Sequence, residues 1–77
     1  MNKERRKTLQ GIIDELESQR ENIETLQEEE QEAYDNLPES IQASDRGDAM
    51  CENADGLADA ASDLEDVISA LQEILER

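Results

Sequence analysis

Apolar residues recur along the first half of the chain at alternating steps of three and four: Leu9, Ile12, Leu16, Ile23, Leu26, Ala33 and Leu37, with Gln19 and Glu30 in the two polar gaps. That spacing marks one face of an α-helix. In heptad terms Leu9, Leu16, Ile23, Glu30 and Leu37 take a, while Ile12, Gln19, Leu26 and Ala33 take d. The second half repeats the pattern without a polar break. There Met50, Leu57, Leu64 and Leu71 occupy d, and Ala54, Ala61, Ile68 and Leu75 occupy a. Between them lies the breaker cluster Asn36-Leu37-Pro38-Glu39-Ser40-Ile41-Gln42-Ala43-Ser44-Asp45-Arg46-Gly47. Pro38 disfavours helix at Leu37. Asn36 is a candidate cap for a short turn at 38–42, and Ser44 a candidate N-cap for the second helix, with Asp45 and Asp48 in its first turn. The pattern predicts an all-α fold in one domain over 1–77: a coiled-coil-like antiparallel two-helix hairpin. Helix one covers about 3–36, the bend 37–46 and helix two about 47–76.

A bend centred near Gln42 sets Leu9 against Leu75, Leu16 against Ile68, Ile23 against Ala61, Leu26 against Leu57, and Ala33 against Met50. One seam does not absorb every apolar position. Ala60, Val67 and Ile74 fall at g of helix two, and Ile13 and Tyr34 at e of helix one. The apolar face is therefore wider than a two-helix seam. The sequence predicts that two hairpins pair into a homodimeric four-helix bundle, with Ile13, Val67 and Ile74 on the self-association face.

Composition narrows the function. The 77 residues include 22 acidic and seven basic ones, for a net charge of −15, with one Tyr, one Cys, one Pro and no His, Trp or Phe. So little aromatic content gives no conventional globular core, and a lone hairpin of this size is marginal. Without His, and with a single Cys, there is no Ser–His or Cys–His triad, CxxC pair or zinc site. Direct nucleic-acid binding is disfavoured because phosphates would be repelled. No cofactor, metal or membrane partner is expected. No apolar run reaches the length of a signal peptide or membrane span, and with the single Cys this predicts a cytoplasmic protein.

The irregular positions have modest readings. Gln19 and Glu30 act as register devices in the seam. Cys51, beside Asp48, Glu52 and Asp55, lacks the positive neighbour that activates a thiol, and reads as an inert small residue. Asn53-Ala54-Asp55-Gly56 echoes a calcium loop, but Cys51 would fall at its first position and Ser62 at its twelfth, so both defining carboxylates are missing. Ala54, Ala58, Ala60 and Ala61 permit close helix approach. The basic stretch Lys3, Arg5, Arg6 and Lys7 is placed by the hairpin to pair with Glu73 and Glu76.

The acidic stripe is the most informative feature. Every f position from Asp14 onward is a carboxylate: Asp14, Glu21, Glu28 and Asp35, then Asp45, Glu52, Asp59, Asp66 and Glu73. Ordinary coiled coils intersperse Lys and Arg to form i,i+4 pairs. Here residues 8–77 hold only Arg20, Arg46 and Arg77. A solvated, solubilising face is the plain reading. The sharper one is that rigid helices display carboxylates much as a nucleic acid displays phosphates. The candidate partner-binding residues are then Glu21, Glu24, Glu28, Asp55, Asp59, Asp63 and Asp66.

The opening Asn2 to Lys7, the bend Tyr34-Asp35-Asn36-Leu37-Pro38-Glu39-Ser40, and the Asp/Glu-rich Leu/Ala/Ile helix after Ser44 together resemble a group of short acidic open reading frames. These occur in Gram-positive bacteria, their phages and integrated mobile elements. The resemblance spans nearly the whole chain, but only the bend is distinctive. It implies no activity for any residue. It implies context: a phage or mobile-element gene of the size of proteins that block host defence enzymes. The leading expectation is a non-catalytic binding protein, not an enzyme, that occupies a basic surface of a host nucleic-acid-binding protein. The alternative is a structural or adaptor coiled coil working through its apolar face.

Overall fold

The computed structural model describes residues 1–77. Helix α1 spans Lys3–Asp35, a single turn α2 spans Glu39–Gln42, and α3 spans Asp45–Glu76. The two long helices run antiparallel side by side, giving a rod with extents of 59 × 14 × 13 Å. No helix is long and apolar enough to cross a membrane.

Local chemistry sets the ends. The Asn2 side chain accepts from the Arg5 amide at 2.8 Å and caps α1, with Glu4 in the first turn complementing the helix dipole. At the other end of α1, Asn36 is the C-cap; its amide donates to the Glu32 carbonyl at 3.0 Å. Asn36 therefore closes α1 and does not cap the following turn, which starts at Pro38 without a side-chain cap. Gln42 reaches back across the bend, donating from Nε2 to the carbonyls of Tyr34 at 3.0 Å and Asp35 at 3.4 Å. It satisfies the Asp35 carbonyl, which the helix end leaves open, and adds a second donor to the Tyr34 carbonyl, which already accepts from the Leu37 amide at 3.0 Å. Ser44 holds the N-cap position of α3 with extended backbone, but its hydroxyl donates to the Ile41 carbonyl instead of accepting from α3. The expected Ser44 cap is thus one of backbone only.

Gly47, buried in the first turn of α3, makes the bend this tight. A Cβ there would overlap the Gln42 carbonyl and stand 2.7 Å from the Ile41 oxygen. Only glycine lets α3 start so close beneath α2.

The core is one file of residues. Ile13, Ala54 and Ile68 are 1% exposed and Ala61 is 6% exposed, flanked by the half-buried Leu9, Leu16, Ile23, Leu57, Leu64 and Leu71. The buried Ala54 and Ala61 are where small side chains bring the helices together. α3 presents its a and d positions as predicted, and the axial register also matches. Arg20 meets Glu65 and Asn53 meets Glu30, each within a residue of that alignment.

α1 differs in rotation. It turns about its axis by roughly 50°, half the angle between successive residues. The d residues Ile12, Gln19, Leu26 and Ala33 are exposed, and the e residues Ile13, Arg20, Gln27 and Tyr34 enter the seam. Ile13, expected on the self-association face, is instead the most deeply buried side chain of α1. The physical reason lies opposite. The e column of α3 offers the small Cys51 beside Tyr34, the small Ala58 in the same groove as Gln27, and Glu65 to receive Arg20. A d-centred seam would bury Gln19 without a partner, an outcome that costs free energy. In the rotated seam Gln19 stays at the surface, bonded to Asn22 at 3.3 Å. Glu30 remains half-buried at a, accepting from Asn53 Nδ2 at 3.3 Å.

Candidate functional site

The rotation of α1 divides the rod into two unlike flanks. On one, the b and f positions of α1 lie beside the e and b positions of α3. They frame a shallow groove of about 410 Å³ lined by Arg20, Glu24, Gln27, Glu28, Ala58, Ala61, Ser62 and Glu65. Asp14, Glu17, Glu21, Glu24 and Glu28 form an unbroken file along this edge of α1. At alternating steps of three and four residues, the file sets one carboxylate about every 5 Å of axis. Glu17 is half-buried, accepting from Gln72 at 3.3 Å; the other four are exposed.

Arg20 is the one cation in the groove. It pairs with Glu65 across the seam and lies 4.0 Å from Glu24 on its own helix. Its Nε is shielded from solvent and has no hydrogen-bond partner. With side chains this exposed, the Arg20–Glu24 contact contributes at most about 1 kcal/mol. These are the only ion pairs in the chain, so all acidic residues except Glu24 and Glu65 lack a cationic partner. The predicted ion pairs from the basic stretch to Glu73 and Glu76 do not form. Arg6 donates to the Leu75 backbone carbonyl, closing the end of α3, and Lys3, Arg5 and Lys7 face solvent unpaired.

Of the seven carboxylates singled out by sequence, Glu24 and Glu28 line the groove and Glu21 continues their file. Asp55 lies one heptad from the lining residue Ser62 and so shares its side. Asp59 and Asp66, at f, point away from the seam along the back of α3. Asp63, at c, lies on the back of α3 between those two and the margin of the opposite flank. All seven are exposed, but they form a flank and a back, not one face. Glu17, Arg20 and Glu65 also belong to this flank and are not among the seven. The signal for the pair is in the sequence: Arg20 and Glu65 both sit at e, the positions that meet in an antiparallel pair.

Tyr34 and Cys51 close the seam near the bend. Hydrogen bonding to the Cys51 side chain is the main reason the phenol pKa rises above 10.0; the Cys51 charge, desolvation and the carboxylates of Asp48 and Asp35 add to it. The calcium-like stretch Asn53–Gly56 is continuous α-helix, and no three acidic or Cys side chains converge anywhere as a metal site would require.

Geometry therefore defines the class: a narrow acidic α-helical hairpin with unpaired carboxylates exposed along its flanks and back. Comparison of the chain with protein-family models, curated proteins and solved structures finds no match.

Proposed function

We propose that this chain is a non-catalytic binding protein that occupies a basic surface of a nucleic-acid-binding protein, acting as a pair of hairpins. The observation that carries the reading is the unrelieved charge: 22 acidic residues on a rod only 14 × 13 Å across, with two of them ion-paired. Such self-repulsion opposes folding and contributes nothing to the seam. A surface held in this form suits a cationic partner, whose docking would relieve the repulsion and release bound counterions. The file Asp14, Glu17, Glu21, Glu24 and Glu28 is the leading edge. Its spacing of about 5 Å is of the same order as the 3.4 Å charge spacing of a nucleic-acid strand. The phage or mobile-element resemblance, together with the size of the chain, makes a defence enzyme a reasonable target. Binding is by occupancy, in the cytoplasm.

The adaptor reading stays alongside it for one reason. Ile12, Leu26 and Val67 are 45%, 53% and 49% exposed, a large uncovered apolar surface for so small a chain.

Affinity capture from a host lysate separates the two. The tagged protein should retain one nucleic-acid-binding protein and release it at moderate salt. The triple variant Glu21→Lys, Glu24→Lys, Glu28→Lys should lose it while its helical circular dichroism is unchanged. A partner kept by the reversed variant and insensitive to salt contradicts occupancy and favours the adaptor.

A further inference from the structure

The second flank of the rod is chemically opposite to the groove side. It consists of the d column of α1, Ile12, Gln19, Leu26 and Ala33, beside the g column of α3, Asn53, Ala60, Val67 and Ile74. Not one of these eight positions carries a charge, in a chain where 38% of residues do; the Glu30 carboxylate touches the flank at its bend end, through Asn53. Its apolar members include Ile12, Leu26 and Val67, three of the four large hydrophobic side chains that remain exposed. Exposed apolar strips of this kind mark association surfaces.

Area and charge together say what covers it. The chain exposes 5663 Å², whereas a folded chain of 8.7 kDa exposes about 4,700 Å². The excess of about 900 Å² belongs to the rod as a whole, and burying the roughly 800 Å² of a standard interface would bring the chain to the exposure of a compact fold. Charge is unevenly spread along the rod. The open end, residues 1–10 and 70–77, holds five basic and three acidic residues. The bend end, residues 28–50, holds eight acidic residues and one basic.

Resting on the paired-hairpin reading above, we propose that a second copy of this chain covers the uncharged flank with the two bends at opposite ends. Bends placed together would set two strongly acidic ends side by side. Opposed, each acidic bend lies along the partner's basic end. A two-fold axis passing near Gln19 sets Ile12 of each copy against the partner's Leu26, since both lie seven residues from Gln19. The self-association face is then built on Ile12 and Leu26, with Val67 and Ile74, while Ile13 holds the hairpin itself. The arrangement also turns the two groove flanks outward on opposite sides. One dimer then offers two equivalent acidic faces.

Sedimentation and spin-label distances test this on the full chain. Wild type should sediment as a dimer. Val67→Glu and Leu26→Glu, on opposite helices and each at an exposed position, should sediment as monomers with helicity retained. Ser40→Cys in a Cys51→Ser background places a label at the bend. Across the dimer its two labels should lie apart by about the 59 Å rod length. A wild-type monomer would overturn the paired-hairpin reading itself. A dimer that persists in both Glu variants overturns the choice of flank. A dimer whose labels stand within two helix diameters, roughly 20 Å, overturns the opposed orientation.

Discussion

Ile12 and Ile13 are neighbours in sequence with opposite duties. Ile13 is 1% exposed in the seam and Ile12 is 45% exposed on the uncharged flank. Ile13→Ala should lower hairpin stability by about 2–5 kcal/mol, the usual cost of emptying a buried site. Ile12→Ala should leave the hairpin within about 0.5 kcal/mol and instead weaken self-association. Urea unfolding at low protein concentration, alongside sedimentation, reads both. The glycines divide similarly. Gly47→Ala forces a methyl into the Gln42 and Ile41 carbonyls and should cost about 1–3 kcal/mol. Gly11 and Gly56 have open space around them, so alanine there should add about 0.5–1 kcal/mol each. For a domain this small, thermal melts should separate the two classes by several degrees.

At the scale of elements, the two long helices, the bend and the axial register were legible in the sequence. Periodicity, Pro38 and the length of the breaker cluster carry that information directly. The rotation of α1 was not legible. Columns d and e of α1 each hold two apolar residues large enough for a core, Ile12 and Leu26 against Ile13 and Tyr34. The choice between them depends on what stands opposite, and the small Cys51 and Ala58 with Glu65 decide it only once the helices are side by side. The roles of Asn36, Gln42 and Gly47 were hidden for the same reason. Each is fixed by a carbonyl or a neighbouring turn that one-dimensional spacing does not display. The acidic flank was half legible: the file on α1 could be read off, but its separation from Asp59, Asp63 and Asp66 follows from the rotation.

The Tyr34–Cys51 contact makes the end of the seam sensitive to alkali. The folded state holds the phenol pKa above 10.0, so below pH 10.0 the contribution is fully present. As pH rises through the raised folded value the native state must give up a proton it binds more tightly than the unfolded chain does, and stability falls. Tyr34→Phe should flatten that alkaline decline in urea midpoints measured across the range.

For the whole molecule, net charge sets the response to salt. Carboxylates crowd all sides of a rod 14 × 13 Å wide except the uncharged flank. Raising ionic strength from about 0.01 M to about 0.15 M shortens the Debye length from about 30 Å to about 8 Å, less than that width. Repulsion across the rod is then screened, and the melting temperature should rise with salt. A protein held by surface ion pairs would do the opposite; with Arg20 making the only two such contacts, little is lost by screening.

Occupancy makes its sharpest demand on a complex in which nucleic acid is already in place. The captured partner is loaded with a labelled oligonucleotide, and the acidic protein is titrated in while fluorescence anisotropy is followed. The account predicts that the oligonucleotide is released in step with binding, and that the Glu21→Lys, Glu24→Lys, Glu28→Lys variant releases none. A ternary complex, in which the protein binds and the oligonucleotide stays, would contradict it.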